Sequence, residues 1–213
     1  MLQLIVDIRP YLETAYFVAG IALAVGLLFA RAQLKAFQVD TRIRNERTAK
    51  EKAVEACRFY LVEHMMTEKL FYDAKRVKKL HNYVGNTGNF TVSSLSDSQK
   101  AHGLALMGVE ELRQTLNELE IICSLFVSGV ADEKTGFQII GRSLVNSIET
   151  NYDVITLFRD DNKFQPYWYN IVELYQVWKA RFEREILKGS VDQIQEKLKN
   201  TPDVKITPIG GEN

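Results

Sequence analysis

The sequence predicts an all-α protein: an N-terminal transmembrane helix continuing into a long stalk helix, then a small antiparallel helical bundle. Three observations lead to this prediction. Residues 14–30 contain no charged side chain. No proline occurs between Pro10 and Pro166, and no glycine between Gly26 and Gly85, so no strong helix breaker lies between the apolar run and the end of the stalk. Further along the chain, most apolar residues recur at spacings of three and four, as they do on the buried face of a helix.

The composition is that of an ordinary globular chain. It has 213 residues, of which 46% are hydrophobic and 25% charged, which suits one modest domain with an appendage. The 27 basic residues equal the 27 acidic ones in number, so we expect no specific binding of nucleic acid. Cys57 and Cys123 each lie among apolar residues in a helical pattern, which predicts two buried free thiols and a reducing compartment.

The apolar run from Thr14 to Arg31 has three interpretations: a membrane span, a signal peptide or a buried core helix. Its seventeen uncharged residues are at the short end of the roughly 17 to 25 that cross a bilayer. Tyr11 and Tyr16 suit the headgroup interface. A core helix would carry a polar stripe, and beyond Thr14 and Tyr16 this run has none. The pattern therefore argues against a core helix.

Cleavage as a signal peptide stays open as the alternative. Ala30, Arg31 and Ala32 form a small-x-small sequence that a signal peptidase could cut. The leading segment has no positively charged region, however, because Asp7 and Glu13 outnumber Arg9. The run is also longer than the 7 to 15 residues of a typical signal-peptide core. We therefore favour an uncleaved anchor.

The charges that flank the run predict its orientation. Between Arg31 and His81 there are thirteen Lys or Arg residues against seven Asp or Glu, whereas the segment before the run offers only Arg9. Positive charge marks the cytoplasmic side of a membrane span. We therefore expect a single-pass protein of the inner (cytoplasmic) membrane, with its N-terminus outside and the bulk of the chain in the cytoplasm.

Small residues recur on one face of the predicted span. Ala22, Gly26 and Ala30 lie four residues apart, and such a face allows two membrane helices to approach closely. This spacing predicts a face for packing between spans and therefore a homo-oligomer. The lipid bilayer is the other partner that we expect.

The stalk helix has two halves of different character. Up to about residue 52 it is basic and only sparsely apolar, which indicates a solvated stalk, whereas the following half indicates a helix of the bundle. The apolar residues that we expect on its buried face are Val54, Cys57, Leu61, Met65, Leu70, Ala74 and Val77. The predicted divisions are a short segment (1–13), the span (14–31), the stalk (32–52), the bundle (53–200) with a loop at 82–97, and a disordered tail (201–213).

Capping residues predict the remaining helices. Ser96 or Asp97 would cap one helix over 99–128, which Gly129 ends, and Asp132 would cap the next, over 133–158. Pro166 would start a helix that Gly189 ends, and Ser190 would cap a short last helix that ends near Asn200.

Residues 116–155 and 169–179 resemble the DUF4760 family of small bacterial and prophage-associated proteins. The shared features are an Asn with a Glu three residues later, a Gly, an acidic pair that opens a helix, and a late Trp. The resemblance implies an N-terminal membrane segment, a helical linker and a helical domain of unknown function, in a setting of phage or mobile-element conflict. The matching residues are Asn117, Glu120, Gly129, Asp132, Glu133 and Trp178.

No pattern in the sequence points to a catalytic residue, a cofactor or a metal. His64, His81 and His102 lack the spacing of metal ligands. Asn117 and Glu120 share one helix face, where a semi-buried carboxylate has two interpretations. One is an active site with Arg142. The other, which we favour, is a structural role, either as a buried hydrogen-bond pair that fixes helix register or as an acceptor for Arg142 or Tyr169.

We therefore expect a single-pass, membrane-anchored helical interaction or scaffold protein with coiled-coil character that binds an unidentified protein. The first alternative is an enzyme with a polar site around Asn117, Glu120 and Arg142. The second is a membrane-perturbing effector that acts through oligomers of the span.

Overall fold

Helices make up almost all of the computed structural model, which describes the backbone of residues 2–160 and 167–200 and the side chains of 13–159 and 167–200. Within these ranges there is no β-strand. The chain divides into two compact units, Met1–Lys50 and Glu51–Asn213. The helices are α1 (Leu2–Phe59), a π-helical turn (Tyr60–His64), α2 (Met65–Val77), a short 3-10 turn (Val92–Ser94), α3 (Asp97–Met107), α4 (Glu110–Val127), α5 (Glu133–Thr150), α6 (Tyr152–Asp160) and α7 (Tyr169–Asn200).

The first unit consists of helix alone. Among the described residues, one helical stretch, Glu13–Val77, is long and apolar enough to cross a membrane, and none of its most apolar window is buried by protein. A helix that is apolar all round and uncovered suits lipid better than water. Ala22, Gly26 and Ala30 are all exposed, and a Cβ atom added at Gly26 would meet nothing within 4 Å. The predicted packing face is thus open, and oligomerisation through it stays a prediction.

The second unit is a helical bundle, as predicted. Helix α4 packs against α2 and α7, α3 packs against α6, and α5 packs against α7. Aromatic and branched aliphatic side chains fill the space between the helices, and their burial supplies most of the driving force for folding. The largest fully buried apolar side chains include Trp178, Tyr60, Tyr152, Phe71, Leu106, Leu112, Leu116, Leu119, Ile122, Ile140 and Leu144.

The buried face predicted for residues 53–77 is wrong. Val54, Leu61, Met65, Leu70 and Val77 are between 41% and 82% exposed, and of the predicted set only Cys57 is fully buried. The face that enters the bundle is a different one, on which apolar residues alternate with His64, Glu68 and Lys75. Glu68 and Lys75 find hydrogen-bond partners inside the bundle. The members of this face are Ala53, Ala56, Cys57, Tyr60, His64, Glu68, Phe71 and Lys75.

Several predicted helix boundaries are also wrong. The helix predicted over 99–128 is two helices, because Gly108 ends α3 and Val109 takes an extended conformation with φ −93° and ψ 118°. The helix predicted over 133–158 is interrupted at Asn151, whose side chain donates to the Ser147 carbonyl oxygen. Conversely, α7 runs without a break through Gly189.

Ser190 lies inside α7, where its hydroxyl donates to the Ile186 carbonyl oxygen instead of capping a new helix. The continuous helix predicted from the span to about residue 80 is interrupted by the π-helical turn at Tyr60–His64 before α2 begins. The first difference involves a side-chain bond without packing, because residues 183–200 are exposed, whereas Tyr60 and His64 of the π-helical turn are buried. The predicted helix start at Pro166 and the predicted disordered tail at 201–213 lie outside the described residues.

The caps predicted at Ser96, Gly129 and Asp132 are confirmed. Ser96 and Gln99 form a reciprocal capping box at the start of α3. Gly129 has φ +73°, in the left-handed region that suits glycine after a helix end. Asp132 accepts a hydrogen bond from the Thr135 backbone N–H at 2.9 Å and so caps α5.

Candidate functional site

Asn117 and Glu120 lie on α4 and face the beginning of α7. The Glu120 Oε1 atom accepts from the Asn170 backbone N–H at 3.0 Å and from the Asn170 side-chain amide at 2.7 Å. Its Oε2 atom accepts from the Ile171 backbone N–H at 2.9 Å. A negative charge that accepts from the first N–H groups of a helix is favoured, because these groups lack partners within the helix and lie at the positive end of its dipole. Glu120 therefore acts as a cap for α7 that is supplied by another helix.

Asn117 holds the residue just before α7. Its Oδ1 atom accepts from the indole N–H of Trp168 at 3.1 Å. Trp168 has a positive φ of +52° and is almost fully buried. The two motif residues, three positions apart, thus hold adjacent parts of the same helix start. Asn117 and Glu120 bind Trp168, Asn170 and Ile171 rather than the predicted Arg142 or Tyr169.

Glu133, in the first turn of α5, contacts α7 about two turns further along. One of its carboxylate oxygens accepts from the indole N–H of Trp178, and the other accepts from Arg181 Nη2 at 2.7 Å. The Trp178 ring is completely buried, with ring centroids 5.6 Å from Phe126 and 5.7 Å from Phe137. The described contacts of the predicted motif residues are therefore helix caps and links between helices.

Arg142 lies apart from these residues. It is exposed on α5 and lines a surface groove of about 590 Å³ together with residues of α7. Lys179 and Glu149 form an ion pair in this groove. In the parts of the chain that the structure describes, no hydrogen bond or ion pair joins Arg142 to Asn117 or Glu120. The three residues are thus not assembled into one cluster.

A polar network inside the bundle escaped the sequence analysis. Glu68 on α2 is buried and accepts a hydrogen bond from the Ser147 hydroxyl on α5. Lys75, about two helical turns later, is also buried and donates to Asn82 Oδ1 at 3.1 Å. The signal was present in the sequence, because Glu68, Phe71 and Lys75 are spaced by three and four and so share one face.

Burial changes the protonation of Lys75. Removal of water lowers the pKa of its ammonium group from 10.5 to about 8, although the negative charges of Asp153 and Glu68 partly oppose this effect. The ammonium nitrogen also lies 5.2 Å from the ring centroid of Phe71 and 5.4 Å from that of Tyr72. These cation–π contacts favour the charged form that burial disfavours.

His102 joins α3 to α6. Its Nδ1 atom pairs with a carboxylate oxygen of Asp153, and its Nε2 atom lies 2.9 Å from the His81 carbonyl oxygen. The side chain of Asp153 is fully buried, and its second oxygen accepts from the Val154 backbone N–H at 2.9 Å. Because both ring nitrogens of His102 face an acceptor, the geometry suits a structural cross-link better than a general base, which needs one nitrogen directed at a substrate.

His64 occupies the π-helical turn and is completely buried. Its ring stacks on Tyr60 with centroids 5.1 Å apart, and its Nδ1 atom lies 3.4 Å from Glu118 Oε2. Within the described residues, neither ring nitrogen makes a hydrogen bond of good geometry. Burial lowers the pKa of His64, although Glu68 and Glu118 oppose this effect, so the ring is held in an apolar setting that favours its neutral form.

The two cysteines are free and buried, as predicted. Burial raises the pKa of the Cys57 thiol to about 11 and raises that of Cys123 well above its ordinary value. Such thiols are poor nucleophiles, because the thiolate is the reactive form. Among the side chains that the structure describes, those of residues 13–159 and 167–200, no group of three or more His, Cys, Asp or Glu could hold a metal ion.

Comparison with known proteins identifies no relative. No family model matches the chain, and neither a curated protein nor a solved structure matches it. The resemblance to DUF4760 therefore stays a prediction, and the arguments for function depend on the contacts described above.

Proposed function

We propose that this chain is a single-pass membrane protein whose helical bundle is tethered at the cytoplasmic face and acts there as an interaction module. The observation that carries the proposal is the long apolar helix that includes residues 14–31, whose most apolar window is entirely uncovered by protein. Apolar surface of this extent is costly in water and favourable in lipid. The excess of Lys and Arg after Arg31 supports the cytoplasmic placement of the bundle.

An interaction role is supported by the surface of the bundle. Val54, Leu61 and Met65 lie on one side of the helical stretch that leads into the bundle and are 54%, 47% and 41% exposed. Exposed apolar side chains that share a face are typical of a surface that another protein covers. The partner that we propose is therefore a protein with an apolar contact surface, in the phage-conflict setting that the DUF4760 resemblance implies.

The two alternative functions have weaker support. An enzyme that uses Asn117, Glu120 and Arg142 would need these groups to converge on a substrate. The Glu120 carboxylate instead accepts three hydrogen bonds from N–H groups of α7. A membrane-perturbing effector would act through the face of Ala22, Gly26 and Ala30. It predicts that Gly26→Leu removes both self-association and toxicity.

Membrane insertion is tested by a matched pair of double variants of the full-length protein. Leu23→Arg/Leu27→Arg places two charges inside the proposed span, and Val39→Arg/Ile43→Arg places two charges at the same spacing in the stalk. All four native side chains are exposed, so neither variant disturbs a packed core. We expect only the first variant to leave the membrane fraction after a carbonate wash, because each central charge costs about 2.5 to 3.5 kcal/mol in a span.

Release of both variants, or of neither, would contradict a span at residues 14–31. Orientation is tested separately with reporters fused to the C-terminus in a bacterial host. We expect a fluorescent protein that matures only in the cytoplasm to be active and a phosphatase that works only outside to be inactive. Mass measurement of the membrane-bound chain tests the alternative of cleavage after Ala32, which would give a chain that begins at Gln33.

A further inference from the structure

The second half of α7 carries a row of exposed large apolar side chains. Leu187, Val191, Ile194 and Leu198 are 66%, 50%, 58% and 69% exposed, and we refer to these four residues as the α7 seam. All residues from 183 to 200 are exposed, so no other described part of the bundle covers this half of the helix. A helix of this length receives little stability from propensity alone, which suggests that a partner covers the seam.

The spacing of the seam indicates the kind of partner. The intervals are four, three and four residues, which are those of the d, a, d and a positions of a heptad repeat. At 3.6 residues per turn the four side chains of the seam lie within an arc of about 60°, whereas Ile186, which is also exposed, lies about 100° from Leu187 and outside this arc. A stripe this narrow is typical of a contact with one other helix, whereas a globular core or a lipid surface favours an apolar arc wider than about 100°.

The charges beside the seam indicate which helix that is. Glu183 takes a g position and Lys188 the next e position. In a parallel pair of identical helices in register, Glu183 of each copy faces Lys188 of the other, so two opposite-charge pairs form. In an antiparallel pair Lys188 would instead face the uncharged Gln195. The core residues do not decide the number of strands, because Leu187 at d with Val191 at a favours two strands, whereas Ile194 at d with Leu198 at a favours three or four.

We propose that the α7 seam is the interface for a second copy of this chain, through a parallel coiled coil. This inference deepens the proposed function and rests on it in one respect. Two heptads bury less surface than a stable free dimer needs, whereas anchoring both copies in one membrane raises their effective concentration. The same anchoring gives both copies the same polarity relative to the membrane.

Cysteine cross-linking of the full-length protein in lipid vesicles tests the interface. Ile194→Cys places a thiol in the seam, and Glu196→Cys places one on the opposite side of the same helix as a matched control. Both native residues are exposed, so both variants should fold, which circular dichroism will check. Cys57 and Cys123 are buried and give the background level in the wild-type protein. With a mild copper oxidant, we expect about tenfold more covalent dimer from Ile194→Cys than from Glu196→Cys, because core a and d positions face each other across the coil.

Charge variants test the register. In the Ile194→Cys background, Glu183→Lys or Lys188→Glu alone should lower the cross-linking yield about twofold or more, because each creates two like-charge pairs. The two changes together should restore the yield, because the opposite charges then face each other again.

Equal yields at positions 194 and 196, or a seam thiol that stays monomeric, would overturn the proposal. The second result would mean that the seam is covered by the chain's own tail, by another protein or by lipid. Failure of the membrane proposal is distinguishable, because the carbonate wash of the same vesicles reports it independently of the cross-link.

Discussion

The two halves of α7 belong to one continuous helix but have opposite surroundings. In the first half Ile171, Leu174 and Trp178 are almost completely buried, and carboxylates of two other helices hold this half in place. In the second half the α7 seam is exposed. The difference teaches that helical pattern alone does not decide what a helix contacts. The number of apolar residues and the width of their stripe also matter, and the covered half is additionally held by polar bonds.

The largest effect should follow from Trp178→Ala in the covered half. The indole ring fills a completely buried position between two phenylalanines and also donates to Glu133. We expect a loss of about 3 to 5 kcal/mol in the free energy of unfolding, measured by urea denaturation in detergent. Trp178→Phe should lose less because it keeps most of the apolar volume. Equal losses for the two variants would mean that packing contributes little here.

Glu120→Ala should have the next largest effect, because it removes a charged acceptor from three N–H groups. We expect a loss of about 2 to 3 kcal/mol in the free energy of unfolding, measured by the same urea denaturation. Glu120→Gln should lose less, since it retains one acceptor oxygen. Glu196→Ala, on the uncovered half, is the matched control and should change stability by less than about 0.5 kcal/mol. A loss for the control as large as that for Glu120→Ala would remove the distinction between the halves.

The third prediction concerns the polar network of the covered region. The folded-state pKa of Lys75 is about 8, below its ordinary value of 10.5, so between these pH values the folded protein binds fewer protons than the unfolded chain. Stability from this group therefore rises as the pH increases from 8 toward 10.5.

Lys75→Met lacks this titration and serves as the reference. We expect the unfolding free energy of the wild-type protein to gain on the order of 1 kcal/mol relative to Lys75→Met between pH 7.5 and pH 10. Parallel pH profiles for the two proteins would show that Lys75 is not desolvated. Ionisation of the buried tyrosines lowers the unfolding free energy of both proteins at higher pH. The difference between the two profiles therefore reports the lysine alone.

The smallest effect should follow from Leu198→Ala in the α7 seam. Its side chain is 69% exposed, so within one copy there is little contact to lose. We expect the free energy of unfolding to change by less than about 0.5 kcal/mol when the protein is diluted in detergent so that its copies separate. A loss of about 2 kcal/mol under those conditions would mean that the seam is already packed within one copy.

Much of the fold could be predicted from the sequence, because strong local signals decided it. The absence of helix breakers, the capping residues Ser96 and Asp132, and Gly129 after a helix end all acted as expected. The errors have no single cause, because some lie where tertiary contacts compete with these signals and others lie on exposed helix. Gly189 did not end α7, although nothing packs against it, and Gly108 did end α3.

The candidate site could be predicted only in part. Asn117 and Glu120 were identified from their spacing, but their actual partners, at 168–171, are about fifty residues away in the sequence, and no local pattern reveals such a pairing. The burial of Glu68 and Lys75 was missed because an apolar stripe was expected there. Charged residues enter a core when partners such as Ser147 and Asn82 meet them, and those partners come from other segments.

The Glu120 cap has a consequence for the way the bundle opens. The first backbone amides of a helix usually exchange their hydrogens rapidly with solvent, because they lack acceptors within the helix. The amides of Asn170 and Ile171 have an acceptor on α4, so they can exchange only when α4 and α7 separate. The start of α7 should therefore open together with α4 as one cooperative unit, while the amides beyond residue 183 exchange through fraying of the helix end.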